Sequence, residues 1–246
     1  MNMKKKTNKK LIVTGSDGFI ASHLIEELNG FTGLDIKTGN NILTCDLPIA
    51  DVIIHMAAQV DVIESVKDPI ADAMANIIGT IRLAEKNRNK KFVFTSSGGA
   101  IQEKIESPYG LSKFCAEEYI KMLCNKYVIL RLPNIYGDGS RSVVEKFING
   151  KECNIYGDGT STRDYVHVSD IVRAVKLSMG WRKGLYYLGS EKSTTVLELA
   201  KASGKKINFL PKIKGEVEHS VVKNNTEWKP KIRVLDYIKN KCKKND

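Results

Sequence analysis

One stretch of the chain, KLIVTGSDGFIASHL, limits the possible folds more than any other. An apolar run ends at Thr14, and Gly15 and Gly18 lead from it into a segment with helical periodicity. Gly15 permits a tight turn, and Gly18 lets a pyrophosphate approach the backbone where N–H groups at a helix N-terminus favour anions. Ala21 replaces the third glycine of the usual spacing, and its methyl group is expected to loosen the helix–strand packing slightly. The stretch therefore predicts a dinucleotide-binding loop.

An acidic residue follows at the distance that such a loop requires. Asp35 comes about 20 residues after Gly15, at the end of the strand-like segment FTGLDI. A carboxylate in this place binds the hydroxyls of an adenosine ribose and repels a 2′-phosphate, so the sequence favours NAD over NADP. The competing interpretation is an ordinary turn aspartate after a strand.

Strand-like and helix-like segments alternate through the first half of the chain. Short runs rich in Val and Ile are separated by segments with a helical period. This alternation predicts an α/β fold with a doubly wound parallel sheet of the Rossmann type, covered by helices on both faces. The predicted strands cover residues 10–15, 31–36, 50–58, 91–97 and 127–137, and the predicted helices cover residues 19–28, 69–87 and the segment after Tyr109.

Composition disfavours several other classes of protein. The five cysteines are scattered without a Cys-x-x-Cys pair, and the four histidines lack metal-ligand spacing, so neither a disulfide framework nor a metal site is predicted. No apolar run approaches the roughly 20 residues that cross a bilayer, and the basic start does not resemble a signal peptide. We therefore expect a cytoplasmic protein without a membrane partner.

The net charge of +11 is compatible with nucleic acid or with small anions such as nucleotides. Much of the excess lies in lysine runs at the two ends, KKKTNKK and KNKCKK, which are typical of solvated tails. These runs lack the interleaved aromatic residues of a nucleic-acid-binding stripe. The charge pattern therefore disfavours nucleic acid as a partner.

The segment SPYGLSKFCAEEYI places Tyr109 one helical turn before Lys113. Pro108 suits the first turn of a helix, and apolar residues recur after it at helical spacing. A tyrosine and a lysine at this spacing are common by chance. The simpler interpretation is a surface pair on an amphipathic helix.

Seven motifs follow one another in the order of one known family. They are TGSDGFIASHL, IIHMAAQVDVIESVKDP, NIIGT, FVFTSSGGAI, SPYGLSK, RLPNIYG and IYGDGTSTRDYVHVSDI. Together they resemble the extended short-chain dehydrogenase/reductase family, and within it the nucleotide-sugar 4-epimerases of the UDP-glucose 4-epimerase type, from about Leu11 to Ile238. The resemblance implies an NAD-binding Rossmann domain (residues 1–142 with 164–189) and a smaller C-terminal lobe that binds a nucleotide-diphosphate sugar (residues 143–163 with 190–246). It also implies a homodimer that pairs through the helix of Tyr109 and the helix before it.

The resemblance assigns roles to particular residues. Tyr109 is the expected catalytic base, Lys113 is its partner, and Ser97 is the expected catalytic hydroxyl, with Ser96 as the nearby competitor. The expected substrate contacts are Ser97, Asn76, Asn134 and Arg163, with Arg163 on the diphosphate. The expected cofactor contacts are Gly15, Asp17, Gly18, Phe19, Ile20, Asp35, Asp46, Ala57, Ala58 and Lys113.

Acid–base chemistry is consistent with these roles. A free tyrosine has a pKa of about 10, so action as a base near pH 7 requires a shift of about 3 units, or roughly 4 kcal/mol. A lysine ammonium one turn away and a positive nicotinamide both favour the phenolate. Ser97 can hydrogen-bond the sugar hydroxyl as that hydroxyl loses its proton.

The residues after the fourth predicted strand distinguish between reactions of the family. The 4,6-dehydratases carry an acidic pair after the strand-end Thr or Ser, whereas this chain has Ser96, Ser97, Gly98 and Gly99. The resemblance therefore implies 4-epimerisation of a UDP-glucose or UDP-galactose type sugar through a transient 4-keto intermediate. Two alternatives stay open: another nucleotide-sugar oxidoreductase, and a non-catalytic relative that binds NAD or RNA. Because only QEKIE separates GGAI from SPYG, we expect an open site with broad sugar selection.

Overall fold

The structure is a computed structural model that describes residues 10–98, 105–212 and 219–243. Within these ranges the strands are β1 (Leu11–Thr14), β2 (Thr32–Leu34), β3 (Val52–His55), β4 (Lys91–Ser97), β5 (Lys126–Leu132), β6 (Asn134–Tyr136), β7 (Cys153–Tyr156), β8 (Thr162–Arg163), β9 (Tyr165–His167), β10 (Gly184–Tyr187), β11 (Thr194–Thr195), β12 (Ile207–Leu210) and β13 (His219–Ser220). The helices are α1 (Phe19–Ile25), α2 (Val62–Lys67), α3 (Pro69–Ala73), α4 (Gly79–Lys86), α5 (Pro108–Leu123), α6 (Val143–Asn149), α7 (Val168–Ser178), α8 (Val196–Ser203) and α9 (Val234–Cys242).

The central sheet confirms the predicted fold class. Its six strands lie in the order β10-β5-β4-β3-β1-β2, and β1 pairs in parallel with both β2 and β3. β3 pairs in parallel with β4. Because the chain moves outward from β1 in both directions, the sheet is doubly wound, and the switch point lies at the carboxyl ends of β1 and β3. A ligand crevice is expected at that edge.

The chain divides into two compact units. The first comprises Met1–Ser96, Lys104–Ile129 and Ser178–Gly184, and the second comprises Ser97–Glu103, Leu130–Leu177 and Leu185–Asp246. These units reflect backbone compactness, whereas the two domains predicted from the sequence are defined by the ligand that each would bind. The assignment of residues 1–142 with 164–189 to the cofactor and 143–163 with 190–246 to the sugar stays a prediction.

The first unit has its core where Val- and Ile-rich strands meet the apolar faces of the helices. Its buried residues include Ile12, Val13, Leu24, Ile53, Ile54, Leu83, Phe92, Val93 and Ile120. The strands are buried along most of their length, as expected for a parallel sheet covered by helices.

Two elements differ from their predicted form. The helix predicted over residues 69–87 is interrupted by a π-helical segment, Met74–Ile78, between α3 and α4. The apolar residues keep a helical spacing across this segment. The sequence pattern therefore does not distinguish the wider π-helical turn from an α-helical one. The strand predicted over residues 127–137 is also two strands, since Pro133 has no N–H to donate and separates β5 from β6, which pairs with β9.

The second unit contains helices and short strands around a separate apolar cluster. α6, α8 and α9 contribute to this cluster with β6, β7 and β9, and its members include Tyr136, Phe147, Ile155, Tyr165, Leu199 and Ile238. α8 begins with a capping box in which Thr195 and Glu198 bond reciprocally, which fixes the start of the helix. β12 pairs with β7, and β8 lies between β11 and β13.

The described residues offer neither a membrane-spanning helix nor a cluster of metal ligands. None of the helices in residues 10–98, 105–212 and 219–243 is long and apolar enough to cross a membrane. The same residues contain no group of three or more His, Cys, Asp or Glu side chains placed to hold a metal ion.

Candidate active site

The glycine loop after β1 has the conformation that its sequence predicts. Gly15 has φ = +68°, a left-handed conformation that favours glycine. Its N–H donates to Leu34 O at 2.7 Å, and the Gly18 N–H donates to Gly15 O at 2.9 Å. A Cβ atom at Gly15 would lie 2.7 Å from Ala57 N, so the loop approaches the backbone after β3 closely. The structure thus brings together three of the predicted cofactor residues.

The first turn of α1 follows this loop directly. Phe19 and Ile20 begin the helix, and Gly18 occupies the N-cap position. No described side chain caps this helix end, so its first N–H groups face a place where an anion is favoured. This arrangement fits the pyrophosphate of a dinucleotide.

Asp35 is fixed beside the glycine loop. It is buried, and one carboxylate oxygen accepts a hydrogen bond from Asp17 N at 3.0 Å while the other accepts from Lys37 N at 2.9 Å. A carboxylate can accept about four hydrogen bonds, so both oxygens retain capacity for ribose hydroxyls. The competing interpretation is partly right, because Asp35 also caps the turn Ile36–Thr38.

The remaining predicted cofactor residues differ in exposure. Ala57 and Ala58 are half-buried in the loop after β3. Asp46 has an exposed side chain, and its carboxylate lies 3.8 Å from Lys86 Nζ. A surface ion pair of this kind contributes little stability and leaves the side chain free to turn. Its contact with the cofactor stays a prediction.

The helix α5 carries Tyr109 in its first turn. Pro108 occupies the first helical position, and the N-cap residue Ser107 accepts a hydrogen bond from Gly110 N at 3.1 Å. The Tyr109 N–H donates to Ser65 Oγ of α2 at 3.2 Å. These contacts hold the start of the helix, and Lys113 follows one turn later on the same face.

Lys113 is a core residue, which excludes the simpler interpretation of a surface pair. Only 3% of its surface is exposed, and its Nζ lies 4.1 Å from the centroid of the Phe94 ring on β4. Burial lowers the pKa of Lys113 to about 7, although the carboxylates of Glu117 and Asp72 oppose the change. Near neutral pH the lysine is therefore close to the midpoint of its titration.

Asn76 ties three segments of the first unit together. Its Nδ2 lies 3.0 Å from each of Gln59 O, Asp72 Oδ1 and Ser112 Oγ, and its Oδ1 accepts from Gln59 N at 2.9 Å. The side chain is buried and its polar atoms are occupied within the protein. The structure therefore gives Asn76 a role in holding Ser112, the neighbour of Lys113. Its expected contact with substrate stays a prediction.

A buried histidine connects this amide to the glycine loop. His55 Nδ1 lies 2.6 Å from Thr14 Oγ1, and His55 Nε2 lies 2.9 Å from Thr80 Oγ1. Thr80 Oγ1 donates to Asn76 O at 2.6 Å, and Thr14 Oγ1 accepts from Ala57 N at 3.1 Å. These roles assign the proton of a neutral imidazole to Nε2. Burial lowers the pKa of His55 to about 3, and the nearby Lys113 charge acts in the same direction.

Two serines end strand β4. Ser96 is buried, and its Oγ has no hydrogen-bond partner among the described residues. Ser97 is half-buried and is the last residue of the strand. Backbone contacts assign Ser97 to the second unit, with Asn134 and Arg163. The choice of Ser97 over Ser96 as the catalytic hydroxyl stays a prediction.

The second unit brings Asn134 and Arg163 to neighbouring strand ends. Asn134 N and Nδ2 donate to Asp164 O at 3.0 and 3.3 Å. Asn134 lies opposite Tyr165 in the parallel pair of β6 and β9, and Arg163 ends β8. The two predicted substrate residues therefore flank a single residue, Asp164.

The Asp164 carboxylate is a buried anchor in the second unit. It accepts from Ser190 N at 2.9 Å, Ser190 Oγ at 2.6 Å and Val222 N at 3.2 Å. Burial raises the pKa of Asp164, while these hydrogen bonds act to lower it. A Cβ atom at Gly189 would overlap both this carboxylate and Val222 O, so only glycine fits beside it.

The comparisons with known proteins agree with this geometry. The family model described as NAD dependent epimerase/dehydratase family matches residues 11–186. The chain belongs to this family. The match confirms the resemblance to the extended short-chain dehydrogenases/reductases and supports NAD as the cofactor. The contacts of the glycine loop and Asp35 with NAD stay a prediction.

Relatives of known name cover almost the whole chain. A putative UDP-glucose 4-epimerase of Methanocaldococcus jannaschii is 32% identical over 94% of this chain and 98% of its own length. The crystal structure of Thermus thermophilus UDP-glucose 4-epimerase in complex with NAD has 27% identity, a TM-score of 0.81, and coverage of 95% of this chain and 98% of that chain. A UDP-N-acetylglucosamine 4-epimerase of Methanobrevibacter ruminantium, in complex with UDP-N-acetylmuramic acid, has 25% identity, a TM-score of 0.84, and coverage of 96% and 97%.

Sequence reasoning missed several residues that support the site. His55, Asp72, Glu117 and Asp164 are all buried, and none was assigned a role. The sequence spacing of two of them, Glu117 and Asp72, could have indicated a role. Glu117 follows Lys113 by one helical turn on the same face, and Asp72 precedes Asn76 by one turn. Acidic residues at the positions of a buried helix stripe indicate a charge partner inside the protein.

Proposed function

We propose that this protein interconverts the C4 epimers of a UDP-hexose, with UDP-glucose and UDP-galactose as the first candidates. The observation that carries the proposal is the pair of Tyr109 and buried Lys113 on α5, in the unit that contains the NAD loop. Membership of the epimerase/dehydratase family and relatives named as UDP-glucose 4-epimerases support it.

The cofactor is proposed to lie along the switch-point edge of the central sheet. The α1 N-terminus would face its pyrophosphate, and Asp35 would accept hydrogen bonds from its adenosine ribose. Bound NAD supplies a hydride acceptor that later returns the hydride, so it is not consumed.

Tyr109 is proposed to remove the proton from the 4-hydroxyl of the sugar and later to return it. For this it must be a phenolate near neutral pH, and a Lys113 ammonium one turn away favours that form. The Lys113 side chain is held over Phe94 within the core, so its charge acts from a fixed place. Rotation of the 4-keto sugar between the two hydride transfers would invert the carbon.

The substrate is proposed to contact residues of the second unit. Arg163 would bind the diphosphate, since a guanidinium pairs with phosphate oxygens in a bidentate way. Asn134 would bind the nucleotide-sugar through its amide, and Ser97 would hydrogen-bond the 4-hydroxyl. Gly98 and Gly99 follow β4 where a dehydratase has an acidic pair. This absence of acidic residues supports epimerisation over dehydration. Gly99 and most of the short loop QEKIE lie outside the described residues.

A homodimer is proposed as the working form. Ile70, Met74 and Ile78 recur at helical spacing with exposed side chains, and so do Leu111 and Met122 on α5. Exposed apolar rows on adjacent helices are typical of a helical interface. Light scattering should give twice the mass of the chain, and Met122→Glu should lower it. Ile36→Glu, an exposed residue elsewhere in the first unit, is the control. A monomer mass for the natural protein would reject the dimer.

The decisive experiment supplies UDP-galactose without added NAD and follows the sugar by NMR. Formation of UDP-glucose without net NADH is expected, because a tightly held cofactor is regenerated. Stoichiometric NADH would instead indicate an oxidoreductase, and a 4-keto-6-deoxy product would indicate a dehydratase. UDP-N-acetylglucosamine is tested in parallel, since one related structure is an epimerase of that sugar. Normal NAD binding without conversion of any nucleotide-sugar would contradict the proposal and favour a binding role.

A further inference from the structure

Two buried carboxylates lie near Lys113, and the acid–base chemistry of Tyr109 does not use them directly. Asp72 on α3 is 1% exposed and Glu117 on α5 is fully buried. Both act on the charge of Lys113, and both favour its protonated form. Buried acidic side chains are rare unless a positive charge or several hydrogen bonds compensate them.

Asp72 is only half satisfied by hydrogen bonds. Its Oδ1 lies 3.0 Å from Asn76 Nδ2, whereas its Oδ2 is buried without a hydrogen-bond partner among the described residues. A buried oxygen in this state carries a desolvation cost that a structural role would normally avoid. The hydrogen bond to Asn76 alone would be served as well by a neutral side chain. The hydrogen bond to Asn76 therefore does not explain why a carboxyl group occupies this buried position.

Lys113 is also buried without full compensation for its lost hydration. Its ammonium group lies over the face of Phe94, and this cation–π contact recovers only part of the hydration that burial removes. A neutral lysine would give Tyr109 no electrostatic help. A fixed negative charge in the same dry region is the means by which a buried amine stays protonated.

We propose that Asp72 is a positioning residue for the reaction of Tyr109, because its buried carboxylate keeps the Lys113 side chain in the ammonium form. The inference rests on the proposed function for its link to turnover, but not for the charge of Lys113 itself. Asp72 touches neither substrate nor cofactor in this role and acts through Lys113.

Apart from a second acid, Glu117, the other groups that face Lys113 carry no negative charge. On its own helix, Tyr109 lies one turn before it and Glu117 one turn after it. On β3, burial lowers the pKa of His55 to about 3, and its two ring nitrogens bond Thr14 and Thr80. On β4, Phe94 offers only the face of its ring. Asp72 and Glu117 are thus the two described acids that act on this lysine, Glu117 with the larger effect. Asp72 comes from another helix, and Asn76 joins its carboxyl group to Ser112, the residue before Lys113.

The test measures the titration of Lys113 by NMR in the full chain, saturated with NAD and labelled with ¹³C at lysine Cε. The Lys113 signal is assigned as the one that Lys113→Arg removes. Asp72→Asn keeps the shape and an oxygen acceptor for Asn76 but removes the charge. Its matched control is Glu118→Gln, which removes a charge from a half-buried acid on α5 that pairs with Lys121.

The titration midpoint of Lys113 should fall by about 1 unit or more in Asp72→Asn, as expected for loss of a nearby opposite charge. It should be unchanged in Glu118→Gln and restored in Asp72→Glu. An equal midpoint in the natural protein and Asp72→Asn would overturn the proposal. If Asp72→Asn does not fold, Asp72→Ser removes the same charge with a smaller side chain, and an unchanged Lys113 midpoint in that variant overturns the proposal.

Turnover gives a second readout. The ratio of Asp72→Asn turnover to that of the natural protein should rise as the pH falls, because acid restores the lysine proton that the variant loses. A purely structural defect would lower turnover by the same factor at every pH. A shifted midpoint in a protein that converts no nucleotide-sugar would leave the role of Asp72 intact and reject the proposed function instead.

Discussion

The two units support their candidate residues in different ways. In the first unit, Tyr109 and Lys113 lie on the 16-residue helix α5. Successive hydrogen bonds link the glycine loop to Ser112, the residue before Lys113, through Thr14, His55, Thr80 and Asn76. In the second unit, Asn134 and Arg163 lie on strands of three and two residues, around the one carboxylate of Asp164.

This difference indicates how the protein divides its tasks. Long elements with several buried contacts hold side chains with little freedom, which proton and hydride transfer require. Short strands with one anchor can be altered by a few substitutions without loss of the main core. We infer that Tyr109 and Lys113 are held firmly in the first unit, whereas the choice of sugar depends on few residues of the second unit, which also contains Ser97.

The largest effect is expected at Tyr109. Tyr109→Phe removes the proposed base and keeps the ring, so turnover should fall by roughly 10²–10⁴-fold while NAD still binds. Tyr119→Phe is the control, because Tyr119 is an exposed tyrosine on the same helix. Epimerase assays with calorimetric NAD titration check both variants. Equal turnover in the two variants would show that the phenol of Tyr109 does not take the proton.

The next prediction compares two glycines, to separate the effect of steric overlap with the Ala57 backbone from the effect of a positive φ. Gly15→Ala places a methyl group 2.7 Å from Ala57 N at a positive φ, whereas Gly30→Ala has a similar φ with nothing within 4 Å. Gly30→Ala should cost about 1–2 kcal/mol in the free energy of unfolding, from strain alone. Gly15→Ala should cost more and weaken NAD binding at least tenfold, as overlap distorts the loop. Chemical denaturation and NAD titration give both quantities; similar losses of NAD affinity would contradict the role of the loop.

In the second unit, Asp164→Asn tests dependence on a single anchor. The substitution leaves a buried amide beside donors from Ser190 and Val222, which should cost about 1–3 kcal/mol in the free energy of unfolding. KM for the nucleotide-sugar should rise while the affinity for NAD stays unchanged. Asp158→Asn, an exposed turn residue of the same unit, is the control. A matching loss of NAD affinity would mean that the two ligands do not divide between the units in this way.

The most gradual effect concerns acid stability, because it is spread over several pH units. The folded pKa of His55 is about 3 and its ordinary value is 6.5, so between these values the unfolded chain binds more protons. The contribution of His55 is present above pH 6.5 and is lost as the pH falls towards 3, at about 1.4 kcal/mol per pH unit. Denaturation at several pH values should show this slope, and His55→Gln should flatten it. His219→Gln, an exposed residue of the second unit, should not. Equal slopes in both variants would contradict the buried neutral histidine.

The sequence predicted the parts of the fold that depend on residue type. Gly15 and Asp35 were recognisable because only glycine tolerates the loop and only an acid suits the ribose position. Tyr109 and Lys113 were recognisable only with the family motifs around them, since their spacing alone is common. The burial of Lys113 against the Phe94 ring could not be read from the sequence, because it depends on how α5 packs against β4.

Other features were hidden for physical reasons. The interruption at Pro133 was visible in the sequence, but a Val- and Leu-rich run on one side and NIYG on the other gave one continuous strand-like pattern. Asp164 resembled an ordinary loop aspartate, because its partners Ser190 and Val222 are distant in the chain. Side chains that act through long-range contacts leave no local period to detect.

The π-helical segment Met74–Ile78 has a consequence for chain length. One extra residue lies in the turn between α3 and α4, so deletion of a single residue there would give a continuous regular helix. The wide turn takes up its extra residue locally, so the deletion would leave the faces of α3 and α4 nearly in phase. In a regular α-helix each residue turns the chain by about 100°, so the same deletion within α4 would rotate all that precedes it by that angle. The π-helical turn is therefore a place where a change of one residue in chain length disturbs the packing against α5 little.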